Sequence, residues 1–140
     1  MRRKGLRTIQ RLAEHGADAA ARDVGHRLRI LRAEEERLRQ VSSFLDHYDQ
    51  MSVTAAAGLT INTMQGRRQF ALRLREAADR QRQAVAEQEN LYRQHVERWR
   101  GARSQALALQ RFNERIRQRE QDEKERREQA RIDEIARQRR

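Results

Sequence analysis

From Ala71 to Ile116 the chain repeats itself every seven residues. Positions 71, 78, 85, 92, 99 and 106 are Ala, Ala, Val, Tyr, Trp and Ala, and positions 74, 81, 88, 95, 102, 109 and 116 are Leu, Gln, Gln, His, Ala, Leu and Ile. Two such lines form one narrow stripe on a helix, and a strict period of seven keeps that stripe facing a partner helix, as in a coiled coil. The 140 residues include no proline and are rich in Arg, Glu, Gln, Ala and Leu, so strong helix formers are plentiful and the usual breaker is absent. In the first half, Leu6, Ile9, Ala13, Gly16 and Ala20 step by three and four, and Val24, Leu28, Leu31, Leu38 and Leu45 continue after a four-residue stutter. Both halves therefore predict a long helix with a seam.

Between them, Ser52 to Gly66 is low in charge and rich in small residues, with Gly58 and Gly66 as turn formers. The pattern predicts an all-α, antiparallel two-helix coiled-coil hairpin in one domain over residues 1–140, with a first helix over about 4–53, a turn over about 54–65 and a second helix over about 66–138. Asn62 followed by Gln65 is a candidate capping box for the second helix. A turn centred near residue 61 makes partner numbers add to about 122. Leu6 then faces Ile116, Ile9 faces Asn113, Gly16 faces Ala106, Leu31 faces Leu91, and Trp99 meets the stretch Asp23 to Gly25, where the glycine leaves room for the indole. Beyond Ile116 the heptad positions are charged or alanine, so the C-terminal helix is expected to overhang, by roughly 36 Å if residues 117–140 stay helical.

A seam diluted by Gln81, Gln88 and His95 buries little, and Gly101 within a helix costs about 1 kcal/mol relative to Ala. Modest stability and dependence on partners are expected. A second line, Arg37, Val41, Phe44 and Tyr48, steps by four, three and four on the first helix, beside the Leu38 and Leu45 line. In the 122 register Phe44 sits near Ala77 and Ala78, Tyr48 near Leu74 and Val41 near Gln81, with Phe70 one turn away. This cluster is either a partner-binding aromatic patch or a thickening of the core.

Catalytic chemistry has no footing here. His15, His26, His47 and His95 lack metal-ligand spacing, and there is no phosphate loop, nucleophile elbow or HExxH, so a non-enzyme without cofactor or metal is expected. Zero cysteine removes disulfides and thiolate sites, no run matches the roughly 18 apolar residues of a membrane span, and the basic N-terminus lacks a signal-like apolar stretch. A cytoplasmic protein is the expectation. The net charge of +11 raises nucleic-acid binding, but acids interleave with bases almost everywhere, as in Glu123-Lys124-Glu125-Arg126-Arg127-Glu128, so nucleic acid is not the expected partner. The exception is Arg2, Arg3, Lys4, Arg7 and Arg11, with no acid before Glu14. An antiparallel hairpin places this cluster beside the start of the tail, as a basic pole.

These residues resemble the FliJ family of flagellar type III export proteins over nearly the whole chain. Glu35-Glu36-Arg37-Leu38, Phe44, Tyr48, the turn with Gly58, and Phe70 in Arg67-Arg68-Gln69-Phe70 are similar to the family's central section. Arg126, Glu128, Gln129, Asp133, Glu134 and Ala136 are similar to its C-terminal signature, and Trp99 to its tryptophan; Gly66-Arg67 and Ala130 stand where the family often has Asn-Tyr and Lys. The resemblance implies a stalk-like coiled coil in the cytoplasm, peripheral at the inner face of the membrane at the flagellar base. Its terminal end would bind the hexameric export ATPase and promote ring assembly, with Arg2, Arg3, Lys4, Arg7, Arg11, Arg126, Gln129, Asp133 and Glu134 as expected contacts. It implies binding of the cytoplasmic part of the membrane export gate by Arg37, Val41, Phe44, Tyr48, Phe70, Leu74, Ala77 and Gln81, and a role in escorting export chaperones. An injectisome stalk, a basic nucleic-acid binder and a generic coiled-coil scaffold are the alternative readings.

Overall fold

A computed structural model describes residues 2–54 and 60–140, with side chains for 3–51 and 60–140. The described chain is helical, with α1 spanning Arg2–Thr54 and α2 spanning Ile61–Gln138, packed against each other in antiparallel fashion with no strand among the described residues. Of the expected turn, residues 55–59, Gly58 among them, lie outside the described residues. Residues 61–65 belong to α2 instead. The cap also differs from expectation: Thr63 donates its backbone N–H to Thr60 Oγ1 at 3.4 Å, and Met64 N bonds Thr60 O at 3.0 Å, so Thr60 is the N-cap and Asn62 and Gln65 lie inside the helix.

All thirteen seam positions expected on α2 are buried or half-buried, and Asn113 extends the series. On α1 the observed seam is an unbroken heptad. One line is Gln10, Ala17, Val24, Leu31, Leu38 and Leu45, the other Leu6, Ala13, Ala20, Arg27, Glu34, Val41 and Tyr48, and every member is buried or half-buried. The expected stutter is absent: Ile9 is 50% exposed and Gly16 is exposed, with Gln10 and Ala17 in their places. The reason lies in helix phase. Val24, Leu31, Leu38 and Leu45 fall on one seven-residue line, and extending that line back along the same helix reaches Ala17 and Gln10. Facing Ile9 inward would require distorting the helix between Ala20 and Val24.

The chain forms two compact units, Ala21–Glu97 (the central unit) and Met1–Ala20 with Arg98–Arg140 (the terminal unit). In the central unit Leu31, Ala78 and Val85 are buried, and Gln81 Nε2 donates to the Glu34 carbonyl at 2.9 Å and to its carboxylate. In the terminal unit Ala106 is buried, and Asn113 Nδ2 donates to Leu6 O at 3.3 Å and to Gln10 Oε1. Within each unit the two seams, read in opposite directions, coincide when partner numbers add to about 119, not 122. Leu6 and Gln10 therefore meet Asn113, where Leu6 against Ile116 and Ile9 against Asn113 were expected, and Leu31 falls opposite Gln88 and not Leu91. The expected pair of Gly16 with Ala106 does not form. Nor is Gly25 a socket, since a Cβ added there meets nothing within 4 Å.

Every residue from Arg117 to Arg140 is exposed, as the loss of apolar heptad positions predicts. Arg3 pairs with Glu120, and beyond it the tail bonds within itself, as Gln121 to Glu125 at 3.4 Å and Gln129 to Asp133 at 3.1 Å. Glycine within an exposed helix lacks the restriction that Ala places on the unfolded chain, and both Gly25 and Gly101 have open space where a Cβ would stand. Gly25→Ala and Gly101→Ala should each raise stability by about 0.5–1 kcal/mol in urea denaturation; a loss in either case would mean that its helix is not continuous there.

Candidate functional site

The central unit presents two different flanks. In an antiparallel pair the residues just before the first seam line of each helix share one side, and those just after the second line share the other. The first side carries Ile30, Arg37, Phe44 and Met51 from α1 and Phe70, Ala77, Ala84 and Leu91 from α2. The second carries Leu28, Glu35, Ser42 and Asp49 against Arg68, Arg75, Arg82 and Glu89, with an Arg75–Asp49 contact of 3.6 Å. One flank is thus apolar and the other charged.

This arrangement divides the expected gate-binding residues. Val41, Tyr48, Leu74 and Gln81 are half-buried members of the seam, so Val41 and Tyr48 do not flank it as the sequence suggested. Arg37, Phe44, Phe70 and Ala77 lie on the apolar flank, with Phe44 56% and Phe70 44% exposed. The rings of Tyr48 and Phe70 are 5.0 Å apart between centroids and tilted by 56°, and the Tyr48 hydroxyl donates to Arg67 O at 3.2 Å. Tyr48 thus contacts Phe70, which was expected one turn away on the same face, and Gln81 is bonded to Glu34. Arg37, the one charge among the eight flank residues, has its guanidinium 2.9 Å from Glu34. Met51, 51% exposed, belongs to the same flank and was missed in the sequence, as were Ile30, Ala84 and Leu91. The signal was available, since each recurs at seven-residue steps from Phe44 or Phe70.

In the terminal unit, the side chain of Arg2 lies outside those described. Lys4, Arg7 and Arg11 are exposed, and Arg3 pairs with Glu120. Arg3 and Arg7 line an open polar groove of about 510 Å³ with Gln110, Glu114 and Arg117, so α1's basic turns do stand beside the start of the tail. Arg126, Gln129, Asp133 and Glu134 are exposed farther along the tail and do not line this groove. Trp99 is half-buried in the seam, with the Arg103 guanidinium carbon 5.3 Å from its ring centroid. Among the described residues no group of three or more His, Asp or Glu could hold a metal ion, and no helix is long and apolar enough to cross a membrane.

The two helices form the antiparallel pair that the resemblance implied, and the family model described as the flagellar FliJ protein matches residues 2–140. The chain belongs to the FliJ family. FliJ membership makes it a component of flagellar type III protein export, in a family that is a structural part of the export apparatus. No curated protein and no solved structure matched the chain.

Seam and flank residues should separate in a stability measurement. Tyr48→Ala removes a half-buried ring and its hydrogen bond and should cost about 2–3 kcal/mol, whereas Phe44→Ala on the open flank should stay within about 0.5 kcal/mol of the unmodified chain. Equal losses in thermal unfolding would place both residues in the core.

Proposed function

We propose that this FliJ-family chain binds the flagellar export ATPase through its terminal unit and the cytoplasmic part of the membrane export gate through the apolar flank of its central unit, promoting assembly of the ATPase ring and coupling it to export. The observation that supports the reading best is the exposure of Phe44 and Phe70 on one flank, at positions that the family resemblance ties to the gate. Aromatic side chains are frequent interface anchors because they bury a large area for few rotatable bonds. Their exposure here leaves that area for a partner. Arg37, held by Glu34, adds a guanidinium at the flank without leaving an isolated charge to be desolvated.

In this reading Val41, Tyr48, Leu74 and Gln81 act by holding the flank in place, and Phe44, Phe70 and Ala77 provide contact. The ring contacts draw on the terminal unit, including the basic turns Lys4, Arg7 and Arg11 and the tail with Arg126, Gln129, Asp133 and Glu134. Association with the membrane then runs through these partners. The double variant Phe44→Ala/Phe70→Ala should weaken calorimetric binding to the purified gate domain by tenfold or more while stimulation of ATP hydrolysis is retained. Deleting residues 121–140 should do the reverse, because the Arg3–Glu120 pair and the seam remain. Undiminished gate binding by the double variant, with helicity intact, would refute the gate surface.

A further inference from the structure

The terminal unit exposes six large apolar side chains, Ile9, Leu12, Leu107, Phe112, Ile132 and Ile135, and three of them stand together. Ile9 is 50%, Leu12 65% and Phe112 49% exposed. They belong to one face. Ile9 immediately precedes Gln10 and Phe112 immediately precedes Asn113, and the amide of Asn113 bonds that of Gln10 across the seam, so the two residues before them stand on the same flank of the pair. Leu12 lies three residues beyond Ile9 along α1, one helical turn away. Gly5 and Gly16 continue the same line of α1, and a Cβ added to either meets nothing within 4 Å, so the face stays low at both ends.

The charge around it has one sign. Arg115 and Arg119 follow Phe112 by three and seven residues on this side of α2, and both are exposed. Of the acids of the two facing segments, Glu114 lines the polar groove, Glu120 pairs with Arg3, and Glu14 and Asp18 fall on other lines of α1. An apolar centre with a basic rim fits a partner surface that is apolar at its centre and rimmed by carboxylates. A second copy of this chain would bring arginine against arginine.

We infer that Ile9, Leu12 and Phe112 form the main anchoring contact for the export ATPase, on an acidic-rimmed apolar surface of that partner, with Arg115 and Arg119 steering the approach; this rests on the proposed binding of the ATPase by the terminal unit. The basic residues of the polar groove are poorer anchors. Arg3 is already paired with Glu120, and exposed ion pairs contribute little once screened by salt, whereas desolvated apolar and aromatic side chains dominate binding at most interfaces. Charge at the rim chiefly sets the association rate and its salt dependence.

The test is a titration of the full chain into purified export ATPase, following affinity, association rate and ATP hydrolysis at near-physiological and at high salt. Ile9→Ser/Phe112→Ser is expected to lose about tenfold or more in affinity at both salt levels, with helicity by circular dichroism unchanged because both side chains are exposed. Arg115→Ala/Arg119→Ala is expected to slow association mainly at the lower salt. Leu72→Ser, an equally exposed apolar residue of the central unit, serves as the control and should bind like the unmodified chain. Undiminished affinity of Ile9→Ser/Phe112→Ser, or a larger loss from the arginine pair than from the apolar pair, would overturn the inference while leaving ATPase binding itself intact. Absence of saturable binding by the unmodified chain would overturn the ATPase reading and this inference with it.

Discussion

The structure depends on one line of α1, Val24, Leu31, Leu38 and Leu45, packed into a seam whose opposite wall mixes Ala71, Ala78, Gln81 and Gln88 with Leu74, Val85, Tyr92 and His95. Fully burying a Leu or Val contributes about 1.5–3 kcal/mol, and most of these are only half-buried, so the seam has little energy to spare for a misplaced residue. A helix cannot turn its faces independently along its length. Once that line faces inward, residues at seven-residue steps from it face inward too, and Ile9 is left outside because Gln10 is in phase.

Polar residues occupy seam positions as a consequence. Glu34 is held by Gln81 and Arg37, and Asn113 by Leu6 and Gln10, yet Gln88 Oε1 and Asn113 Oδ1 are buried without a partner. Apolar residues at those sites would pack more firmly. An amide in the seam accepts few pairings, however, and so favours one register over its neighbours, the best-attested role for polar groups in coiled coils. The pairing at about 119 is the register in which Asn113 finds both Leu6 and Gln10.

The seam also separates the functions of neighbouring residues. Tyr48 and Phe44 lie four residues apart, but one helps close the coil and the other faces outward. On the apolar flank of the central unit Arg37 is the one charge among its residues from Ile30 to Met51 and from Phe70 to Leu91, while the opposite flank sets Glu35 and Asp49 of α1 against Arg68, Arg75 and Arg82 of α2. Family membership places the chain in flagellar export, and the exposed aromatic flank supplies a physical reason for part of it to seek a partner.

The sequence by itself determined the two helices, the inward line of α2 and the exposure of the tail, because absence of proline, a strict seven-residue period and its loss after Ile116 are local properties that any packing must respect. It also pointed to Phe44 and Phe70. It left the inward face of α1 undecided near the N-terminus, since Leu6-Ile9-Ala13-Gly16-Ala20 and Leu6-Gln10-Ala13-Ala17-Ala20 both step by three and four. Only the tertiary structure decided between them, by burying the unbroken line that runs from Leu45 back to Gln10. With that choice it decided which side lines of the two helices stand together, and so which apolar side chains are left to solvent: pairing is a property of two helices at once, and neither carries it alone.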